Sequence, residues 1–128
     1  MATLVTGGTG FIGSNIVKAL SQQGHQVICF DLVSPDDLVK KYLSPWVENV
    51  TYVQGNLLKQ EDLEGVTKYG ISKIVHAAVF TGILPEIEAR QGASIVDINV
   101  MGTTNVLELA RKVLPERFLY VSSGAVYG

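Results

Sequence analysis

Thr6-Gly7-Gly8-Thr9-Gly10-Phe11-Ile12-Gly13 is the stretch on which the reading of this chain turns. Its glycines fit two spacings at once: Gly-x-Gly-x-x-Gly at Gly8, Gly10 and Gly13, and Gly-x-x-Gly-x-x-Gly at Gly7, Gly10 and Gly13. Immediately upstream, Thr3 to Thr6 reads as a short apolar strand. Downstream, Ile12, Ile16, Val17 and Leu20 recur at helical spacing, and Gly24 supplies a C-terminal stop. A glycine-rich turn between a strand and an amphipathic helix leaves backbone N–H groups free at the positive end of the helix dipole. Such a turn takes an anion. The first glycine permits the tight turn, the middle one lets backbone approach a pyrophosphate, and the last allows close helix–strand packing.

Working outward, four more apolar runs read as strands: Gln26 to Phe30, Val50 to Gln54, Lys73 to His76 and Arg117 to Val121. Each is apolar on both faces, as parallel strands covered on both sides must be. Helical patterns alternate with them. One opens at Ser34-Pro35-Asp36-Asp37, with Ser34 as cap and Pro35 at the first helical position, and runs to about Leu43. Another covers Gln60 to Tyr69 and is stopped by Gly70. The longest begins near Ala93 and runs to Val113, with Ile95, Ile98, Val106, Leu109 and Val113 on its buried side. This alternation predicts an α/β fold, a doubly wound parallel Rossmann sheet in the order 3-2-1-4-5, formed by residues 1–128 as one domain. Asp31 ends the second strand 18 positions after Gly13. A carboxylate there accepts from ribose hydroxyls and repels a 2′-phosphate, so NAD is the expected cofactor rather than NADP.

Composition narrows the partners. The 128 residues are 47% hydrophobic and 17% charged, with a formal net charge of -2. A pI near 5.6 and the lack of a basic run speak against nucleic acid. No apolar stretch approaches the ~20 residues that span a bilayer, so no membrane association is expected. The N-terminus enters the first strand directly, which predicts no leader peptide. Cys29 is the single cysteine, so no internal disulfide forms, and a cytoplasmic location is the expectation. With two separated histidines, His25 and His76, no metal site is expected.

Every suspicious residue falls at the carboxyl end of a predicted strand: Gly7 to Gly13, Asp31, Gly55-Asn56-Leu57, Ala77-Ala78 and Ser122-Ser123. Ligands bind along that edge of open α/β sheets. Together with Val75-His76-Ala77-Ala78, Asn99-Val100-x-Gly102-Thr103 and Ser122-Ser123-Gly124-Ala125-Val126-Tyr127-Gly128, these residues resemble the extended short-chain dehydrogenases, the NAD-dependent epimerases and dehydratases. The resemblance implies hydride transfer between NAD and a small-molecule substrate, a nucleotide sugar, in a homo-oligomer. It implies that Ser123 orients the reacting hydroxyl as a catalytic residue. The cofactor-binding set it implies is Gly7, Gly10, Phe11, Ile12, Gly13, Asp31, Asn56, Leu57, Ala77, Ala78 and Asn99, the last in a mainly structural role.

Two positions depart from the pattern. Asn56 stands where the family usually has Asp at the adenine amino group; its amide oxygen can still accept, so binding weakens modestly. The Tyr-x-x-x-Lys acid/base pair of the family follows the serine, which places it beyond Gly128 and makes the chain the N-terminal portion of the enzyme. Tyr69 and Lys73 have the spacing, but they precede the serine and enclose the helix-breaking Gly70. The chain alone is therefore expected to lack turnover, and a non-catalytic NAD-binding regulatory or scaffold module is the alternative reading. His76 reads as a core or supporting histidine, and Cys29 as core packing.

Overall fold

Alternation along the strands builds two cores, one on each side of a parallel sheet. In the computed structural model, which describes residues 1–80 and 85–127, five strands run β1 (Ala2–Thr6), β2 (Gln26–Asp31), β3 (Val50–Gln54), β4 (Ile71–His76) and β5 (Arg117–Tyr120). Their order is β3-β2-β1-β4-β5, with every pair parallel. Successive side chains of a strand point to opposite faces. Leu4, Ile28, Phe30 and Ile74 therefore join one core, and Val5, Val27 and Cys29 the other. The central strand β1 is buried along its whole length.

Helices close both faces. α1 (Phe11–Gln22) and α2 (Asp37–Leu43) cover one core through Val17 and Leu43. α3 (Gln60–Glu64) and α5 (Thr103–Val113) cover the other through Leu63, Val106 and Leu109. Before α5 come α4 (Pro85–Val96) and a π-helical turn over Asp97–Gly102. The strand order matches the sequence expectation, and register places the ends of β1, β2 and β4 side by side: Thr6 pairs with Phe30 and with His76.

Three helices differ from the expectation, each for a local reason. The cap of α2 is Asp36, whose Oδ1 accepts from the Val39 N–H at 2.8 Å, so Pro35 precedes the cap. Ser34 does not cap because its hydroxyl donates to Gln54 Oε1. The third helix is α-helical only to Glu64 and tightens to a 3-10 turn over Gly65–Tyr69 before Gly70, which sits at φ 68°. The long helix starts at Pro85 rather than near Ala93 and is interrupted by non-helical Gln91 and the π turn.

Candidate functional site

Gly7 is the pivot of the turn that follows β1. It adopts φ 67°, a left-handed conformation that glycine enters without penalty. A Cβ on it would stand 2.7 Å from Ala78 Cα, so the turn lies against the backbone that leaves β4. Gly13 faces inward, and a Cβ there would stand 1.9 Å from the Gly7 carbonyl oxygen. The helix can approach the turn only because Gly13 has no side chain. Gly10 differs: its Cβ would meet one atom, the Gly7 oxygen, at 3.3 Å. Of the two glycine spacings, the geometry selects Gly7, Gly10 and Gly13, while Gly8 packs behind the turn against Cys29.

The first intrahelical bond of α1 runs from the Ser14 N–H to the Gly10 carbonyl. The amides of Phe11, Ile12 and Gly13 come before it, and Gly10 provides no side-chain cap. Those residues line a cleft of about 600 Å³ along the carboxyl edge of the sheet. Clefts of roughly 300–1,000 Å³ hold small ligands and cofactors. Every member of the expected cofactor set except Asn99 lines it, from Gly7 through the turn to Asp31, Asn56, Leu57, Ala77 and Ala78.

Asp31 ends β2 and holds the turn from the side. Its Oδ2 accepts from the Thr9 N–H at 3.1 Å and the Thr9 hydroxyl at 2.8 Å, while Oδ1 accepts from the Leu32 N–H at 2.7 Å. Beside the ribose role expected from the sequence, Asp31 thus has a structural duty, whose signal in the sequence is the hydroxyl residue Thr9 inside the turn. Asn56 also has a local partner. Its Oδ1 already accepts from the Leu58 N–H at 2.9 Å, an Asx turn, so the amide meets a ligand with one remaining lone pair and its Nδ2 donors.

Asn99 lies outside the cleft lining. Its Oδ1 accepts from the Phe80 N–H at 2.8 Å and its Nδ2 donates to the Phe80 carbonyl at 3.0 Å. Its side chain therefore ties the π turn to the Phe80 backbone, and Ile98 is the neighbour that reaches the cleft. Ser123 follows β5 at the same sheet edge, is exposed, and also lies outside the lining. The segment after β4 is described from Ala77 to Phe80, and residues 81–84 lie outside the described residues. Among the described residues, no group of three or more His, Cys, Asp or Glu could hold a metal ion. No helix there is long and apolar enough to cross a membrane.

Two buried groups titrate abnormally. Burial, helped by the charge of Asp31, pushes the Cys29 thiol up to about 12. The thiol stays protonated at neutral pH, so iodoacetamide will leave Cys29 unmodified in the native protein and label it after denaturation. Rapid native labelling would contradict this packing. Burial also lowers the pKa of His76 below its ordinary value of 6.5. The unfolded chain then binds a proton that the folded one refuses. Stability is accordingly flat in this respect above about pH 7 and falls below about 6.5, by at most ~1.4 kcal/mol per pH unit. Urea unfolding across that range, compared with His76→Gln, isolates the contribution. An equal slope in the variant would refute the assignment.

A parallel sheet wound 3-2-1-4-5, a glycine turn at a helix N-terminus and an acid at the end of β2 define a Rossmann protein of the dinucleotide-binding class. The chain belongs to the NAD-dependent epimerase/dehydratase family, whose model matches residues 3–128. A putative UDP-glucose 4-epimerase of Methanocaldococcus jannaschii is 33% identical over 98% of the chain. A 3-beta-hydroxysteroid dehydrogenase of Mycolicibacterium neoaurum is likewise 33% identical, over 96%. Among solved structures, UDP-glucose 4-epimerase from Brucella ovis in complex with NAD superposes with a TM-score of 0.81 at 29% identity, over 99% of the chain and 37% of its own. The chain spans 39% of the length of the Methanocaldococcus relative and 32% of the Mycolicibacterium one.

Proposed function

We propose that residues 1–128 form the cofactor-binding unit of an NAD-dependent epimerase, dehydratase or reductase acting on a nucleotide sugar. The observation that carries the reading is the single cleft bordered by the Gly7–Gly13 turn, Asp31 and the Ala77–Ala78 backbone. NAD fits this cleft: Gly7 and Gly13 let the turn pack against the Ala77–Ala78 backbone and α1, and Gly10, whose Cβ would meet only the Gly7 oxygen, leaves its place open for a diphosphate. In this reading the Phe11, Ile12 and Gly13 amides hold the pyrophosphate at the positive end of α1. Asp31 takes a ribose hydroxyl on the one acceptor site of Oδ1 that Leu32 leaves open, and Asn56 with Leu57 border the base. Ala77 and Ala78 are small enough to let the dinucleotide lie along the edge toward β5.

NAD supplies the hydride acceptor when it is bound. The chain's own part is to orient it and to hold the substrate hydroxyl, a role assigned to Ser123 at the end of β5. A relative named for UDP-glucose, and a similar Bordetella bronchiseptica enzyme crystallised with NAD and UDP, support a nucleotide sugar as the substrate class.

Two substitutions test the placement. Gly10→Val is expected to abolish NAD binding while the protein stays folded, because its side chain would enter the cleft and meets little else. Normal NAD affinity in that variant would move the diphosphate elsewhere. Asn56→Asp replaces the amide donors with a second acceptor oxygen and is expected to tighten NAD by about three- to tenfold. Weaker binding in the folded variant would remove Asn56 from the base subsite.

A further inference from the structure

His76 is 1% exposed, and the partners on its two ring nitrogens determine where its proton sits. Thr103 Oγ1 donates its single proton to the Asn99 carbonyl at 2.7 Å, so toward His76 Nε2, at 2.8 Å, it can only accept. Thr6 Oγ1 accepts from the Ala78 amide at 3.2 Å and from the Ala77 amide, which it shares with the Thr6 carbonyl, at 3.2 Å, so both its lone pairs are engaged. Its own proton therefore goes to His76 Nδ1, 2.6 Å away. The ring carries one proton, on Nε2.

Each end of this chain of bonds reaches the cleft. Through Thr6 it holds Ala77 and Ala78, whose backbone lies against Gly7. Through Thr103 it holds the π turn Asp97–Gly102, which carries Asn99 and its two bonds to Phe80. π-helical turns are rare and cluster at functional sites. A single imidazole thus joins β1, β4 and the helix that packs across them. A proton on Nδ1 would face a hydroxyl with no lone pair left, so the arrangement exists only with the ring neutral. The titratable group packed beside the ring is Tyr120 of β5, with ring centroids 5.7 Å apart.

We infer that His76 is a positioning residue for the dinucleotide, fixing both the Ala77–Ala78 wall and the Phe80 wall before the ligand arrives. The inference rests on the reading of this cleft as the NAD site. Walls set in advance spare the ligand the cost of ordering them.

His76→Phe keeps an aromatic ring and removes both nitrogens; His76→Gln keeps one acceptor and one donor. Thr6→Val removes the hydroxyl and leaves the ring. NAD titration at a temperature where each variant is folded is paired with amide hydrogen exchange at Ala78 and nitrogen NMR of the ring. His76→Phe and Thr6→Val are expected to raise the NAD Kd by about tenfold or more and to speed exchange at Ala78, with partial recovery in His76→Gln. In the wild type the ring proton is expected on Nε2 at neutral pH. Wild-type NAD affinity in folded His76→Phe or Thr6→Val would overturn the inference. Unchanged Ala78 exchange, or a proton on Nδ1 at neutral pH, would do so too. Failure of the wild-type protein to bind NAD would instead sink the cofactor reading, and the exchange and NMR measurements would still decide the network.

Discussion

Gly13→Ala is expected to destabilise the protein by about 3 kcal/mol or more and to remove NAD binding with it. The added methyl group would stand 1.9 Å from the Gly7 oxygen, 2.7 Å from the Gly7 carbonyl carbon and 2.9 Å from Gly8 Cα. All three are backbone atoms, so no rotamer change relieves the overlap; α1 and the turn must separate. Overpacking inside a well-filled site costs about 1–3 kcal/mol, and a backbone clash this close lies at or beyond the top of that range. Against a total stability of roughly 5–15 kcal/mol the loss is severe. The companion substitution Gly10→Ala meets one atom at 3.3 Å and should cost less than about 1 kcal/mol. Urea unfolding of the two variants measures the difference. Equal stabilities would mean that the turn does not pack as described.

The second large effect concerns selectivity between NAD and NADP. Asp31→Ala is expected to narrow the preference for NAD by two to three orders of magnitude. A carboxylate about 4 Å from a 2′-phosphate, at an effective dielectric of about 20, is worth about 4 kcal/mol of repulsion per unit charge. Every ~1.4 kcal/mol is a factor of ten. NADP should gain in absolute terms, while NAD should lose about tenfold, because the Thr9 amide and hydroxyl lose their acceptor and the turn loosens. Titrating both dinucleotides into wild type and variant separates the two effects. An unchanged ratio would mean that Asp31 only braces Thr9.

The strand order and the cleft were legible in the sequence because both follow from short-range patterns. Both-face apolar runs dictate a covered parallel sheet, and glycine spacing dictates a close backbone approach. What escaped was set by pairs distant in sequence. The bond of Ser34 to Gln54 moved the cap of α2 to Asp36, and no reading of Ser34-Pro35-Asp36 alone reveals that competitor. The tie of Asp31 to Thr9, 22 positions apart, gave one carboxylate two duties. Asn99 was picked out as a motif residue, but its partner is the Phe80 backbone, 19 positions away. The π turn was hidden for a different reason. One extra residue per turn leaves the spacing of apolar residues nearly helical, and Ile95, Ile98 and Val106 read as one continuous stripe.

The central claim is that the cleft at the carboxyl edge of the sheet binds NAD, with Asp31 choosing it over NADP. Isothermal titration calorimetry of the protein with each dinucleotide tests it directly. The account predicts one NAD site per chain and NADP binding weaker by at least about a hundredfold. Equal affinities for the two dinucleotides, or no heat of binding with NAD, would contradict it.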